Sequence, residues 1–155
     1  FRHLTLHSKI AITVTAGLVL AGAILIFIFE YANPLTIGEM SLFDKIQVSL
    51  FQSVTTRTAG FATIPQENLT NASAAVSIIL MLIGGSPVGT AGGMKTVTIA
   101  VLICSALATV RNKNSATLFG RRISEDSVNK AVAVAVTFLI ICAASTILLM
   151  ALPLP

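Results

Sequence analysis

Three long apolar segments, separated by polar stretches, dominate the hydrophobic pattern of the chain. The first covers residues 10–29, which carry no charge and are bracketed by Lys9 and Glu30. At a helical rise of 1.5 Å per residue, such a segment covers about 30 Å, the thickness of the hydrocarbon core of a bilayer. The pattern therefore predicts a transmembrane helix over 10–29, which Asn33 and Pro34 prevent from continuing.

A shorter apolar segment over 43–54 is too short to cross a bilayer as a helix. The residues that follow, 55–61, read Thr-Thr-Arg-Thr-Ala-Gly-Phe and are poorly suited to helix. The pattern favours a re-entrant helix that passes half-way into the membrane and ends in a loop. On these residues alone, an amphipathic surface helix followed by a turn is the alternative.

The second long segment, 72–110, is twice as long as one membrane crossing requires and contains Lys95 as its one charge. Glycines and a proline interrupt it over 84–93, a composition tolerated at membrane depth only where it is buried in protein or lines a cavity. We therefore expect a broken helix. The last apolar segment, 131–152, ends before Pro153 and predicts a further crossing.

Composition and charge support a membrane protein. Only 10% of the residues are charged and 55% are hydrophobic, whereas soluble domains carry about 25% charged residues. The ten Lys and Arg against six Asp and Glu lie mostly between apolar segments, so the excess indicates orientation and not nucleic-acid binding. It places the amino terminus and 111–130 in the cytoplasm. No enzyme site is indicated, because both histidines and all six acids lie outside the three long segments.

The residues after the short helix are typical of an ion filter. Backbone carbonyls around Thr58, Ala59 and Gly60 could replace the hydration shell of an ion. A carbonyl ladder requires backbone angles that residues with a Cβ rarely adopt, which makes Gly60 the central residue. The C-terminal end of the preceding helix is partly negative and favours a cation there.

The glycine-rich segment 84–93 has two other interpretations. Glycines before Lys95 are reminiscent of a phosphate-binding loop, but Met94 stands where that loop needs glycine and no strand precedes it. Close helix packing through glycines spaced four apart leaves Pro87 unexplained. A plug below the filter accounts for the glycines, the proline and the length of the segment together.

Segments 51–61, 83–96 and 119–123 resemble the Trk/Ktr/HKT potassium transporter superfamily, within it the bacterial KtrB membrane subunits. The resemblance covers nearly the whole chain and implies an all-α integral membrane fold, part of a potassium-channel-like pore of four helix–pore-loop–helix repeats. It assigns 1–110 to the third repeat, 111–126 to a cytoplasmic connector and 127–155 to the first helix of the fourth.

The resemblance also implies the site residues of a potassium uptake pore. The filter carbonyls belong to Thr58, Ala59, Gly60 and Phe61, with Thr56 and Arg57 as support. The gating loop includes Gly84, Gly85, Ser86, Pro87, Gly89, Thr90, Gly92, Gly93 and Lys95.

Two of these roles have alternatives on the sequence alone. Arg57 either braces the loop through carbonyls or, as we expect, extends to the outer membrane interface. Lys95 either takes part in gating or only ends the loop at the cytosolic edge of the pore.

The resemblance further implies a multi-pass protein of the plasma (inner) membrane, a homodimer on a ring of nucleotide-binding KtrA-like subunits. Potassium is the substrate, no cofactor is covalently bound, and sodium is left open as a coupling or activating ion. The residues alone leave two other functions open: a secondary transporter with a broken helix, and a non-catalytic assembly subunit.

Overall fold

The computed structural model describes residues 5–57, 59–85, 92–112, 117–118 and 121–152, and most of these residues are helical. The five α-helices are α1 (Leu6–Glu30), α2 (Leu42–Thr55), α3 (Asn71–Leu82), α4 (Thr96–Val110) and α5 (Glu125–Ala151). A 3-10 turn over Gln66–Asn68 precedes α3. A hairpin of two two-residue strands, β1 (Thr117–Leu118) and β2 (Arg121–Arg122), lies between α4 and α5. The expected helical fold is thus found, with this hairpin as a small addition.

Hydroxyl side chains fix where four of the helices begin. In each case the capping oxygen accepts a hydrogen bond from the backbone N–H three residues later, which satisfies a donor that the first helical turn leaves unpaired. The capping residues of α1, α2, α3 and α5 are Thr5, Ser41, Thr70 and Ser124.

Among the described residues, two helices are long and apolar enough to cross a membrane: Ser8–Glu30, within α1, and Glu125–Ala151, which is α5. In their most apolar windows only 11% and 6% of the residues are buried within the chain, so neither is the core helix of a soluble domain. The long apolar segment 72–110 is divided, because α3 ends at Leu82 and α4 begins at Thr96.

The chain divides into two compact units, residues 1–97 and 98–155. In the first, α1 packs against both α2 and α3. Gly22 of α1 permits this approach: a Cβ at Gly22 would collide with Ser53 Oγ and lie 2.7 Å from Leu80 Cδ1. Ser53 Oγ also donates to the Val19 carbonyl at 2.8 Å, which fixes the register of α2 on α1. In the second unit, the buried residues of α5 are Ala131 and Ala135.

A buried carboxylate joins the end of α1 to the elements that follow it. Glu30 is 0% exposed. Its Oε2 accepts from Asn33 Nδ2 (2.7 Å) and Thr36 Oγ1 (2.6 Å), and its Oε1 accepts from the backbone N–H (2.9 Å) and Oγ1 (2.7 Å) of Thr70. A negative charge is disfavoured at the C-terminal end of a helix. These donors offset that cost and tie α1 to the loop after it and to the start of α3.

Candidate functional site

Helix α2 carries its polar side inward. Its buried residues are all polar or charged, and they are Lys45, Ser49, Gln52, Ser53 and Thr55. Its exposed side is mostly apolar and includes Phe43, Ile46, Leu50, Phe51 and Val54, with Asp44 and Gln47 as exposed polar residues. A surface helix of a soluble protein has the opposite arrangement, because it buries its apolar side. The exposed side of α2 therefore suits lipid or a neighbouring apolar protein surface.

The buried charge at the start of α2 is held by the end of α1. Lys45 Nζ donates to the Tyr31 carbonyl at 3.0 Å and lies 4.2 Å from the centroid of the Tyr31 ring. The ring in turn meets Phe27 edge-on, with centroids 5.4 Å apart. A cation over an aromatic face is attracted by the ring electrons. These contacts fix the N-terminal end of α2 against α1.

A tight turn follows the C-terminal end of α2, and the Thr55 side chain closes it. Thr55 Oγ1 accepts from the Phe61 N–H at 2.9 Å and donates to the Phe61 carbonyl at 2.6 Å. The Thr55 carbonyl accepts from the Ala59 N–H at 3.0 Å. Gly60 has a φ of 80°, a left-handed conformation that residues with a Cβ rarely adopt. Because a Cβ there would meet nothing within 4 Å, backbone conformation and not space favours glycine.

The predicted filter residues lie in this turn, which we name the filter turn and define as residues 55–61. Ala59, Gly60 and Phe61 are exposed, and Thr56 is buried with its Oγ1 donating to the Ser53 carbonyl at 3.0 Å. Thr58 lies outside the described residues. The last carbonyls of α2 carry partial negative charge beside the filter turn, so this end of the helix attracts a cation.

A pair of glutamines holds the chain after the filter turn against α2. Gln52 Nε2 donates to Gln66 Oε1 at 2.7 Å, and Gln66 Nε2 donates back to Gln52 Oε1 at 3.3 Å. Gln66 Nε2 also donates to the Ile64 carbonyl at 2.9 Å. The filter turn is therefore fixed on both sides, by α2 before it and by this pair after it.

Arg57 lies inside the unit and does not extend to the outer interface, so that expectation is wrong. Its side chain is buried (9% exposed). Nη1 donates to the Thr15 carbonyl on α1 and Nη2 donates to the Gly84 carbonyl, both at 3.3 Å. The guanidinium thus donates to backbone carbonyls of two other elements from its place in the filter turn. Hydrogen bonds to carbonyls are what the bracing interpretation expects, and the role itself stays a prediction.

The two ends of the glycine-rich segment meet in what we name the glycine neck, residues 81–85 and 92–94. The Met94 N–H donates to the Leu82 carbonyl at 2.9 Å. A Cβ at Gly84 would overlap the Gly92 carbonyl oxygen, and one at Gly93 would lie 2.7 Å from the Met81 carbonyl oxygen. Gly93 also has a φ of 80°. The neck therefore requires glycine at both positions.

Of the remaining predicted gating residues, some lie within the described part of the chain and some lie outside it. Gly85 is half-buried and Gly92 is exposed. Lys95 is exposed and lies directly before α4, whose first residue, Thr96, is 0% exposed. Ser86, Pro87, Gly89 and Thr90 lie outside the described residues.

Sequence reasoning gave no role to Thr55, Gln52, Gln66 or Glu30. The available signal was the occurrence of amide and hydroxyl residues at helical spacing on one side of α2, since polar side chains in an apolar setting need partners. That pattern identifies residues that need hydrogen bonds but does not say which residues supply them.

Comparison with known proteins identifies the class of protein, which is a membrane cation transport protein. The chain matches the family described as "TrkH: Cation transport protein" over residues 1–153 and belongs to that family. The Ktr system potassium uptake protein B of Bacillus subtilis is 37% identical over 141 residues, which are 91% of this chain and 32% of that protein. The potassium/sodium uptake protein NtpJ of Enterococcus hirae is 36% identical over 148 residues, 96% of this chain and 33% of that protein.

A third relative, the Ktr system potassium uptake protein B of Vibrio alginolyticus, is 33% identical over 136 residues, 88% of this chain and 30% of that protein. The resemblance to the Trk/Ktr superfamily, KtrB-like, is thereby confirmed. The chain spans about a third of the length of the curated relatives that it matches.

Proposed function

We propose that this chain supplies one quarter of a potassium-selective uptake pore in the plasma membrane. In this proposal the backbone carbonyls of Thr58, Ala59, Gly60 and Phe61 form its share of the filter. One observation carries it: α2, with its polar side inward, ends in a turn that Thr55 closes around Gly60. The names of the relatives, which are potassium or potassium/sodium uptake proteins, support potassium as the transported ion.

The proposed chemistry is replacement of water by carbonyl oxygens. An ion that enters a ring of fixed carbonyl dipoles loses hydration water without losing coordination. The filter turn suits this role because side-chain hydrogen bonds on both sides fix its backbone before an ion arrives. The other three quarters of the ring come from the remaining repeats of the same polypeptide.

The glycine-rich segment is proposed to gate this path beneath the filter. The neck fixes the two ends of the segment, and Lys95 places a positive charge at its exit. The names of the relatives, Ktr system potassium uptake proteins B and D, support membership of a system with several subunits. As partners we propose a cytoplasmic nucleotide-binding ring of KtrA-like subunits and a second copy of the membrane subunit. The name of NtpJ supports a role for sodium, as a coupled or an activating ion.

The test is the ratio of potassium flux to sodium flux through the full-length protein in liposomes. Gly60→Ser is compared with Gly17→Ser, because a Cβ at Gly17 also meets nothing within 4 Å but its φ is not left-handed. We expect Gly60→Ser to lower the potassium-to-sodium flux ratio about 10-fold or more, equivalent to about 1.4 kcal/mol. Gly17→Ser should leave the ratio unchanged.

Two results would contradict the proposal. The first is absence of potassium flux in the wild-type protein with its nucleotide-binding partner present. The second is an unchanged flux ratio in Gly60→Ser protein that still elutes as a single species. Either result would favour the solute-transporter or assembly-subunit interpretation.

A further inference from the structure

One buried side chain connects the filter turn with the glycine neck. Arg57 belongs to the filter turn, yet its two terminal nitrogens donate to carbonyls of two other elements, Thr15 in α1 and Gly84 in the neck. The residues that it joins are 42 and 27 positions away in sequence. A planar guanidinium holds its N–H donors in a fixed geometry, so two simultaneous hydrogen bonds fix the orientation of the Arg57 side chain as well as its distance from the two carbonyls.

Close backbone packing fixes the position of the Gly84 carbonyl. The Gly92 carbonyl oxygen approaches Gly84 so closely that a Cβ would overlap it. Gly93 adopts a left-handed φ of 80° beside the Met81 carbonyl. A change of backbone angle at Gly93 therefore moves the neck, and the Gly84 carbonyl with it. Packed interiors transmit such displacements because they contain few voids.

We infer that Arg57 is a positioning residue that ties the filter turn to the glycine neck, so that a change in the neck backbone is transmitted to the selectivity of the filter. The inference rests on the proposed function. Two observations support it: both bonds are made by one buried residue, and that residue lies three positions before Gly60, between the Thr55 and Phe61 that close the turn.

The test is a double-mutant cycle on the potassium-to-sodium flux ratio of the full-length protein in liposomes. The variants are Arg57→Gln, Gly93→Ala and the two combined. We expect Arg57→Gln to lower the ratio about 10-fold, equivalent to about 1.4 kcal/mol. Gly93→Ala should lower the ratio in the wild-type background but change it less than 2-fold, about 0.4 kcal/mol, when Arg57 is already replaced.

The matched control pairs Arg57→Gln with Gly17→Ala. A Cβ at Gly17 meets nothing within 4 Å, so this pair should be additive. Arg57→Lys separates charge from geometry, because one ammonium cannot occupy the positions of both terminal guanidinium nitrogens. We expect Arg57→Lys to lower the flux ratio as Arg57→Gln does, and this measurement remains decisive where Gly93→Ala fails to fold.

The outcomes separate the inference from the proposed function. Additive effects of Arg57→Gln and Gly93→Ala, or a wild-type flux ratio in Arg57→Lys, would overturn the inference and leave the pore proposal standing. Absence of potassium flux in the wild-type protein would overturn both. Non-additive effects of Arg57→Gln and Gly93→Ala on the flux ratio, together with a lowered flux ratio in Arg57→Lys, would support the coupling.

Discussion

Replacement of Glu30 by glutamine tests whether the buried carboxylate holds together the end of α1, the loop after it and the start of α3. The amide keeps the size of the side chain but turns one acceptor oxygen into an NH2 donor. In either orientation the NH2 group faces one hydroxyl and one N–H that donate to Glu30 in the wild-type protein. The hydroxyls of Thr36 and Thr70 can rotate and accept, whereas the Asn33 side-chain NH2 and the Thr70 backbone N–H cannot.

The magnitude follows from this count. At least one part-buried N–H loses its acceptor, which costs about 1 to 3 kcal/mol, and the remaining bonds lose the added strength of a charged acceptor. Against this, glutamine removes a negative charge from the C-terminal end of α1, which is worth about 0.3 to 1 kcal/mol. The loss exceeds the gain, so we expect Glu30→Gln to destabilise the protein by about 1 to 3 kcal/mol.

The assay is the apparent Tm of the purified full-length protein in detergent, read from the monodisperse fraction left after heating. Glu39→Gln is the matched control, because Glu39 lies in the same connection and is exposed. Glu30→Gln should lower the apparent Tm by several degrees and Glu39→Gln should leave it unchanged. Equal Tm values for wild type and Glu30→Gln, or equal losses for both variants, would refute the reasoning.

Two further substitutions test the packing and the proposed gate. Gly22→Ala should lower the apparent Tm, because its Cβ would collide with Ser53 Oγ. Gly17→Ala is the control and should not lower the Tm, because its Cβ would meet nothing within 4 Å. Similar Tm values for both variants would contradict the close approach of α1 and α2. Lys95→Ala should change the rate of potassium flux through liposomes without changing the potassium-to-sodium ratio, and an unchanged rate would count against a gating role for Lys95.

The helical elements could be predicted because their signals are local. An uncharged segment of bilayer length predicted the helix over 10–29, and the structure has α1 over Leu6–Glu30. The glycines and proline at 84–93 predicted an interruption, and α3 ends at Leu82. The hairpin of β1 and β2 was not predicted, because two-residue strands leave no periodic pattern.

The contacts of the site could not be predicted in the same way. Whether Arg57 points outward or inward depends on Thr15 and Gly84, which are distant in sequence, and composition favoured the outward direction. The hydrogen-bond partners of Glu30 could not be predicted either, since a charged residue at the end of an apolar segment usually lies at the membrane interface. Local rules identify the elements, and long-range hydrogen bonds then decide what their polar side chains do.

The inward-facing polar side of α2 affects the order in which the chain folds during synthesis. Its inward side chains find partners both before it in the chain, at Val19, and after it, at Gln66. A helix whose polar groups lack partners in an apolar environment is unstable. Helix α2 therefore reaches its final state only after the chain has been synthesised past Gln66, and α1, α2 and the segment after the filter turn become stable as one cooperative unit.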